Sequence, residues 1–485
     1  MAKKVVRGAW CAGVFVLTLF VLIGATRADG PTLTRGPYLQ SVTATSAIIV
    51  WRTDIAGDTQ VDYGVGSYTH SISDTTLVTE HAVALTNLVT GTQVLYRILT
   101  NGAELYAGSF RTAVDANTSF NFAVIGDSGI GSTAQYSVAD QMVARDPMLA
   151  LHTGDVIYPS GQSAGYDPYF FQPYQALVRR VPMFLSMGNH DYVTSSGQPY
   201  LDTHYLPSNN PANTERYYSF DWGNAHFAAV DYNNLSSAQL NWLQTDLSAT
   251  GQEWKFVFYH QAIYSSGPHG DESGIIAKRS VLAPIFAANQ VDVVFNGHDH
   301  NYERTEPITG VVYIVSGGGG ASLYELASPI GFTSAYSASI YHHVFVSIDQ
   351  YTVTMQAVDR YGSVFDTAVL THPAPQAPNA PLDFQVTSTC VDPYLADASW
   401  SAPNGGGNAQ GYRIYQLPGP TLVWSNTDPA QLSVSQFITL TPNLSNIFLI
   451  NAYNAVGESG LSDPAAVICL KYSIYLPIML KEWND

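Results

Sequence analysis

Positive charge is scarce in this chain. Lys and Arg number 20 against 38 Asp and Glu in 485 residues, for a net charge of −18. Binding a nucleic-acid backbone takes stripes of Lys and Arg, so that class of partner is excluded. A small phosphorylated molecule is not excluded, but the positive charge that attracts it must then be local. Cysteine is scarce too. Of three, Cys11 lies in the leading apolar segment, and Cys390 and Cys469 belong to no CxxC pair and no Cys/His cluster. That excludes a structural zinc held by thiolates. The pair Cys390 and Cys469 reads either as a disulfide of an exported protein or as two buried thiols. Long apolar runs are missing with one exception. Lys3, Lys4 and Arg7 precede an apolar or small run from Ala9 to Ala25, followed by Thr26-Arg27-Ala28. Residues 1–28 therefore read as a signal peptide, with an uncleaved anchor as the alternative, and either one exports the remainder.

A chain of this length exceeds one ordinary core, so several domains are expected. Residues 31–113 show short alternating runs (SAIIVWRT, TQVDYGV, HAVALTNL, QVLYRILTNG, YAGSFRTA) between Gly, Asn, Asp and Thr turns. That rhythm predicts a small antiparallel β-sandwich. From Phe120 the grammar changes to strand, helix, strand: FNFAVIG, STAQYSVADQMVARD, MLALHTG. Further apolar strands recur to TVTMQAV, so residues 115–372 are predicted to be one α/β (α+β) domain. Residues 373–379 form a Pro-rich linker. Residues 380–470 return to the sandwich rhythm. The tail, residues 471–485, is too short to span a membrane and reads as a terminal strand or a surface-retention segment.

Five short blocks carry the chemistry: GDSG at 126–129, GDVIY at 154–158, GNHD at 188–191, FYHQ at 258–261 and GHDH at 297–300. Asp127, Asp155, Asn189 and His298 each follow an apolar strand-like run, and His260 ends one. Strand ends of an α/β sheet converge on one crevice, so residues far apart in sequence can share a site. Asp127, Asp155, Asn189, His260, His298 and His300 are oxygen and imidazole donors. Such a set suits two hydrolytic metals about 3.5–4 Å apart with a bridging carboxylate. Tyr158 lies three residues after Asp155. A phenol, with an ordinary pKa near about 10, ligates only where a strong Lewis acid such as Fe(III) removes its proton.

The blocks match, in order, the GDxG, GDxxY, GNH(D/E), VxxH and GHxH series of the purple acid phosphatases, a branch of the calcineurin-like metallophosphoesterases. GHDHNYER and YYSFDWGNAHF extend the resemblance across residues 120–370. Most related metallophosphoesterases carry His two residues after the first Asp, where this chain has Gly129. Gly129 combined with Tyr158 is the purple acid phosphatase exchange. GPYLQ, Trp51 and FRTA resemble the fibronectin type III-like module that precedes the catalytic domain in plant-type members, and ASWSAP and GYRIYQL resemble a second such module.

The resemblance implies a four-layer metallophosphoesterase sandwich flanked by fibronectin type III-like sandwiches. It implies a secreted acid phosphatase that hydrolyses small phosphate monoesters by metal-activated hydroxide. Fe(III) would be held by Asp127, Tyr158 and His300, with Asp155 bridging to a divalent Zn, Fe or Mn on Asn189, His260 and His298. His190 and Asn189 would bind the phosphate, and His190 or His269 would protonate the leaving group. His269 matches one member of a substrate-binding His pair in the plant enzymes, and the other member is replaced by Gly270. The alternatives are a phosphodiesterase or nucleotide hydrolase on the same core, and a surface protein that contacts matrix through its sandwich modules. His152, His204, His226 and the pair His342-His343 read as core or rim residues. Asp191 and Asp299 read as hydrogen-bond partners of the ligand segments. Gly317–Gly320 reads as a turn passing close to the crevice, since it lacks the Lys-Ser/Thr of a phosphate loop.

Overall fold

The computed structural model describes residues 30–329 and 331–471. The predicted signal segment 1–28 and the tail beyond Lys471 lie outside the described residues. The chain divides into one compact unit ending at Thr371 and a second beginning at His372.

The first unit opens with β1 (Leu33–Gln40), β2 (Ala47–Gly64), β3 (His70–Leu85), β4 (Gln93–Thr100) and β5 (Ala103–Arg111). The strands run β1-β2-β4-β5, and β3 also pairs with β2. The long β2 serves both ends of this sheet: Ile48–Arg52 pairs with β1, and Gln60–Gly64 pairs with β4. Trp51 and Tyr96 are fully buried in it. Hydrogen bonds tie this module to the rest of the first unit. The Tyr38 hydroxyl donates to the Thr203 carbonyl at 2.8 Å, the Tyr96 hydroxyl to Arg179 O at 2.6 Å, and Arg179 Nη2 to Gly36 O at 3.0 Å.

Two larger sheets build the centre. One contains β6 (Phe120–Ile125), β7 (Leu149–His152), β8 (Met183–Leu185), β16 (His342–Asp349), β17 (Thr352–Asp359) and β18 (Val364–Thr371), in the order β18-β17-β16-β6-β7-β8. The other contains β9 (Tyr218–Trp222), β10 (Ala225–Ala229), β11 (Trp254–Gln261), β12 (Val293–Gly297), β13 (Tyr302–Thr305), β14 (Val312–Ser316) and β15 (Ser334–Ala338), in the order β15-β13-β14-β12-β11-β10-β9. Period-two alternation explains how the sheets stack. In β11, Phe256 and Phe258 face the opposite sheet, while Val257 and Tyr259 join the layer containing Trp242, Leu243, Leu282 and Phe286. Phe122 of β6 meets Phe227, Phe256 and Phe295 edge-on, with ring centroids 5.2, 5.3 and 6.0 Å apart. The helices Ser237–Ala249 and Ser273–Ala288 cover the second sheet, and Thr133–Arg145 covers the first. The result is the four-layer helix–sheet–sheet–helix sandwich expected. The parallel strands β6, β7, β11 and β12 all point their carboxyl ends at one edge of the stack.

The second unit contains β19 (Leu382–Thr387), β20 (Leu395–Ser401), β21 (Gly411–Leu417), β22 (Thr421–Ser425), β23 (Ser433–Thr439), β24 (Asn446–Tyr453) and β25 (Ala465–Val467). They form sheets β19-β20-β23 and β22-β21-β24-β25 around Trp400, Tyr412, Ile414, Phe448 and Ile450. The result is a three-plus-four antiparallel β-sandwich. Cys390 and Cys469 are bonded to each other, which resolves the open alternative in favour of the disulfide.

Candidate dinuclear metal site

All nine candidate site residues converge at the shared edge of the two central sheets. Asp127 follows β6, Asp155 follows β7, His260 lies within β11 and His298 follows β12. Asn189 opens the short helix Asn189–Val193, with His190 next. The chain must turn sharply at each strand end to aim its side chain inward. Asp127, Asp155 and His298 accordingly hold φ at 57°, 53° and 72°, the left-handed region that non-glycine residues avoid. Each such conformation costs about 1–3 kcal/mol, and strain of this kind persists where function requires it.

The donor atoms crowd one another. Asp127, Asp155 and His260 each offer a ligand atom within 4.8 Å of the others. The Tyr158 hydroxyl lies 3.0 Å from Asp127 Oδ1 and 3.0 Å from His300 Nε2. His260 Nε2 lies 2.9 Å from Asn189 Oδ1, 3.2 Å from Asp155 Oδ2 and 3.3 Å from His298 Nδ1. The far side of each of three imidazoles is anchored by a carbonyl. His260 Nδ1 donates to Thr153 O at 3.1 Å, His300 Nδ1 to Ser322 O at 2.7 Å and His190 Nδ1 to Pro159 O at 2.5 Å. Their Nε2 atoms are thereby left to the centre, the tautomer a metal ligand needs.

The electrostatics of the cluster favour a cation. Burial pushes the Asp127 carboxyl up, and the nearby Asp155 charge pushes it further, to about 8. His260 is driven up to about 9, because Asp155 and Asp127 outweigh the burial that opposes its charge. Burial and the Asp127 and Asp155 charges raise the Tyr158 phenol well above its usual range. Two carboxylates and a phenolate cannot share this dry space uncompensated, so protons stand where positive charge belongs. The donor set therefore fits a pair of cations, which would ionise Asp127 and Tyr158 beside an Asp155 that His260 and His190 already hold below the usual carboxylate range against its burial.

Supporting residues hold the frame. The Asp191 carboxylate is fully buried and accepts from the backbone N–H of Gly188 at 2.9 Å, Val156 at 3.1 Å and Ile157 at 3.1 Å. It thus staples the GDVIY and GNHD turns together. Asp299 accepts from His269 Nδ1 at 2.8 Å and from Ser265 Oγ. Glu303 accepts from Ser266 N at 2.6 Å and Ser266 Oγ at 2.5 Å. Arg304 pairs with Asp366, at 2.7 and 3.0 Å. His152, His204, His342 and His343 are buried, His152 against the cluster with Nε2 2.9 Å from Ser128 Oγ, and the glycine turn passes over the donor cluster through Gly319 N–H to Gly126 O at 3.0 Å.

Two glycines explain departures from neighbouring patterns. A Cβ on residue 129 would overlap the Val156 carbonyl oxygen, so no His can stand there. A Cβ on residue 270 would overlap Ser265 O, which closes the second His position as well. Tyr324 was missed by sequence reasoning. Its ring stacks on His300 at 4.0 Å and 13°, and lies 5.7 Å from His269. Its only sequence signal was its place soon after the glycine turn.

Comparison with known proteins agrees with this geometry. Residues 120–302 match the family model for calcineurin-like phosphoesterase. The chain is 30% identical over 241 residues to purple acid phosphatase 23 of Arabidopsis thaliana, covering 41% of this chain and 52% of that protein. It is 25% identical over 308 residues to probable inactive purple acid phosphatase 1 of the same plant, covering 51% and 50%. The matched segments thus span about half the length of these two relatives. A solved purple acid phosphatase, PPD1 from yellow lupin (Lupinus luteus) seeds, shares the fold at a TM-score of 0.61 and 18% identity, covering 71% of this chain and 74% of that one. The chain therefore carries a calcineurin-like phosphoesterase domain homologous to those of the purple acid phosphatases.

Proposed function

We propose that this protein is an exported acid phosphatase that hydrolyses phosphate monoesters at an Fe(III)–divalent metal pair. The observation that carries the reading is Tyr158, half-buried beside Asp127 and His300 with its hydroxyl 3.0 Å from each. In this reading Asp127, Tyr158 and His300 would hold Fe(III), Asn189, His260 and His298 would hold Zn, Fe or Mn, and Asp155 would serve both. When bound, the metals supply Lewis acidity, acidifying water and neutralising charge on the phosphate.

The chain's own groups do the rest. The Asn189 amide and His190 Nε2 orient the phosphate oxygens; His190 is the most exposed of these rings, its side chain 36% accessible. His269, held through Nδ1 by Asp299, keeps Nε2 for the leaving-group oxygen and gives it a proton. Export is supported by the leading apolar segment and the disulfide, and no helix among the described residues is long and apolar enough to cross a membrane.

The test is optical and enzymatic together. The metal-replete protein should show a visible tyrosinate-to-iron charge-transfer band and hydrolyse p-nitrophenyl phosphate at acidic pH, and Tyr158→Phe should abolish the band. A colourless, iron-free but active enzyme removes the iron assignment alone. An iron-loaded protein inactive on every monoester removes the phosphatase reading.

A further inference from the structure

His152 reads from the sequence as a core or rim residue, and it is fully buried. It ends β7, paired in parallel with Ile125 of β6 on one side and with Leu185 of β8 on the other. All three strand ends run on into the donor cluster, to Asp155, Asp127 and Asn189 respectively.

An imidazole in so dry a place is costly unless its nitrogens are bonded, and here both are. The backbone N–H of Gly154, the residue before Asp155, donates to His152 Nδ1 at 3.2 Å. On the far side, Nε2 lies 2.9 Å from Oγ of Ser128, the residue after Asp127. A backbone N–H can only donate, so Nδ1 accepts, and the ring hydrogen on Nε2 donates to Ser128 Oγ. Burial, helped by nearby His260, lowers the ring to about 3, in keeping with this neutral form. Ser128 is fully buried as well, so its hydroxyl cannot turn to solvent instead.

The two turns joined in this way are strained ones. Asp127 and Asp155 hold φ at 57° and 53°, and such conformations persist only where the surroundings over-determine them. Two backbone bonds tie the turns together, Asp127 N–H to Gly154 O at 3.1 Å and Tyr158 N–H to Gly129 O at 3.0 Å. His152 adds a brace between the residues that adjoin the two carboxylates, with its ring set edge-on to Phe170 at 6.4 Å. Asp191 braces the Asp155 turn from its other side, against the Asn189 turn.

We propose that His152 is a positioning residue: by bridging Gly154 and Ser128 it holds Asp127 and Asp155 at the separation at which they would share a pair of metals. This rests on the reading of the donor cluster as a metal site and goes beyond it, since both nitrogens of His152 are taken and neither is offered to the cluster.

The experiment compares the full-length, metal-loaded protein with its His152→Phe, His152→Gln and Ser128→Ala variants. Metals retained are counted by mass spectrometry after equilibration against graded EDTA, kcat and KM are measured with p-nitrophenyl phosphate, and Tm is read on each protein after metal removal. Phe keeps a planar ring and loses both bonds, so metal affinity and kcat should fall about ten- to a hundredfold with KM little changed. Gln keeps a donor for Ser128 Oγ and should restore most of the loss. Ser128→Ala should weaken retention in the same direction, and adding His152→Phe to it should cost less than in wild type, because the shared bond is already gone. Wild-type retention in His152→Phe overturns the proposal, and so does a Gln variant no better than Phe with losses that track the metal-free Tm. If His152→Phe does not fold, Ser128→Ala decides, and unchanged retention in it overturns the proposal. A wild type that holds its metals yet hydrolyses no monoester defeats the phosphatase reading alone, and retention then decides His152. A wild type that holds no metal defeats both.

Discussion

His226 in β10 supplies a stability switch that can be worked out from its contacts. Its side chain is 7% exposed, and both nitrogens donate to carboxylates: Nδ1 to Asp221 of β9 at 2.7 Å, and Nε2 to Asp246 of the helix Ser237–Ala249 at 2.8 Å. Asp246 also accepts from Ser219 Oγ at 2.8 Å. Burial opposes the imidazolium, but the two hydrogen-bonded carboxylates outweigh it and raise the group to about 9. The folded value lies above the ordinary value of about 6.5, so the stabilisation is fully present below that value and disappears as pH rises through about 9. A shift of this size is worth at most about 3.5 kcal/mol, at about 1.4 kcal/mol per unit. For domains of a few hundred residues that corresponds to up to roughly 10 °C in Tm. The assay is thermal unfolding of wild type and His226→Gln at intervals from pH 6 to pH 10, in constant buffer ionic strength. Wild type should exceed the variant by several degrees at pH 6, and the gap should close by pH 10. A gap that stays constant across that range would refute a charged His226 clamp and reduce the residue to a packing role.

Other contacts give further outcomes. Reducing Cys390–Cys469, which closes a loop of sequence separation 79, should lower the stability of the second unit by up to about 4.5 kcal/mol on a chain-entropy account, read by denaturant unfolding. Activity should survive, since no candidate site residue lies beyond Thr371. Asp299→Ala should release the His269 ring and slow alkyl phosphates, with their poor leaving groups, about tenfold or more, while p-nitrophenyl phosphate is affected much less; equal loss on both would mean that His269 does not serve the leaving group. Gly270→His should fail to rebuild a second histidine contact and should lower expression or Tm, because its Cβ meets the Ser265 carbonyl; a stable variant with altered leaving-group preference would contradict the packing argument.

The sequence made the cluster of candidate donors legible because each donor sits on a local signal. A strand, a glycine and a donor residue are contiguous in GDSG, GDVIY, GNHD and GHDH, and parallel strand ends must meet. The four layers were legible for the same reason, through apolar runs of strand length alternating with helical stretches. What stayed hidden depends on contacts between segments with no shared pattern. Tyr324 is tied to the site only by its ring on His300 and its backbone bond to that residue. The grip of Asp299 on His269 joins residues 30 apart. The locking of the N-terminal module to the catalytic domain rests on Tyr38 and Tyr96 hydroxyls reaching carbonyls 165 and 83 residues away. His226 reads from the sequence as a core or rim residue and is buried, but its charge belongs to Asp221 and Asp246, which spacing alone does not pair with it.

The central claim is that Asp127, Asp155, Tyr158, Asn189, His260, His298 and His300 hold two metals that hydrolyse phosphate monoesters. Its most direct test is metal content by mass spectrometry alongside p-nitrophenyl phosphate turnover, for wild type and Asp155→Ala. Wild type should carry two metals per chain and turn over substrate. The variant, lacking the shared carboxylate, should carry fewer than two and lose more than about a hundredfold in rate. Two metals with no hydrolysis of any monoester, or an Asp155→Ala protein with full metal content and wild-type turnover, would contradict the claim.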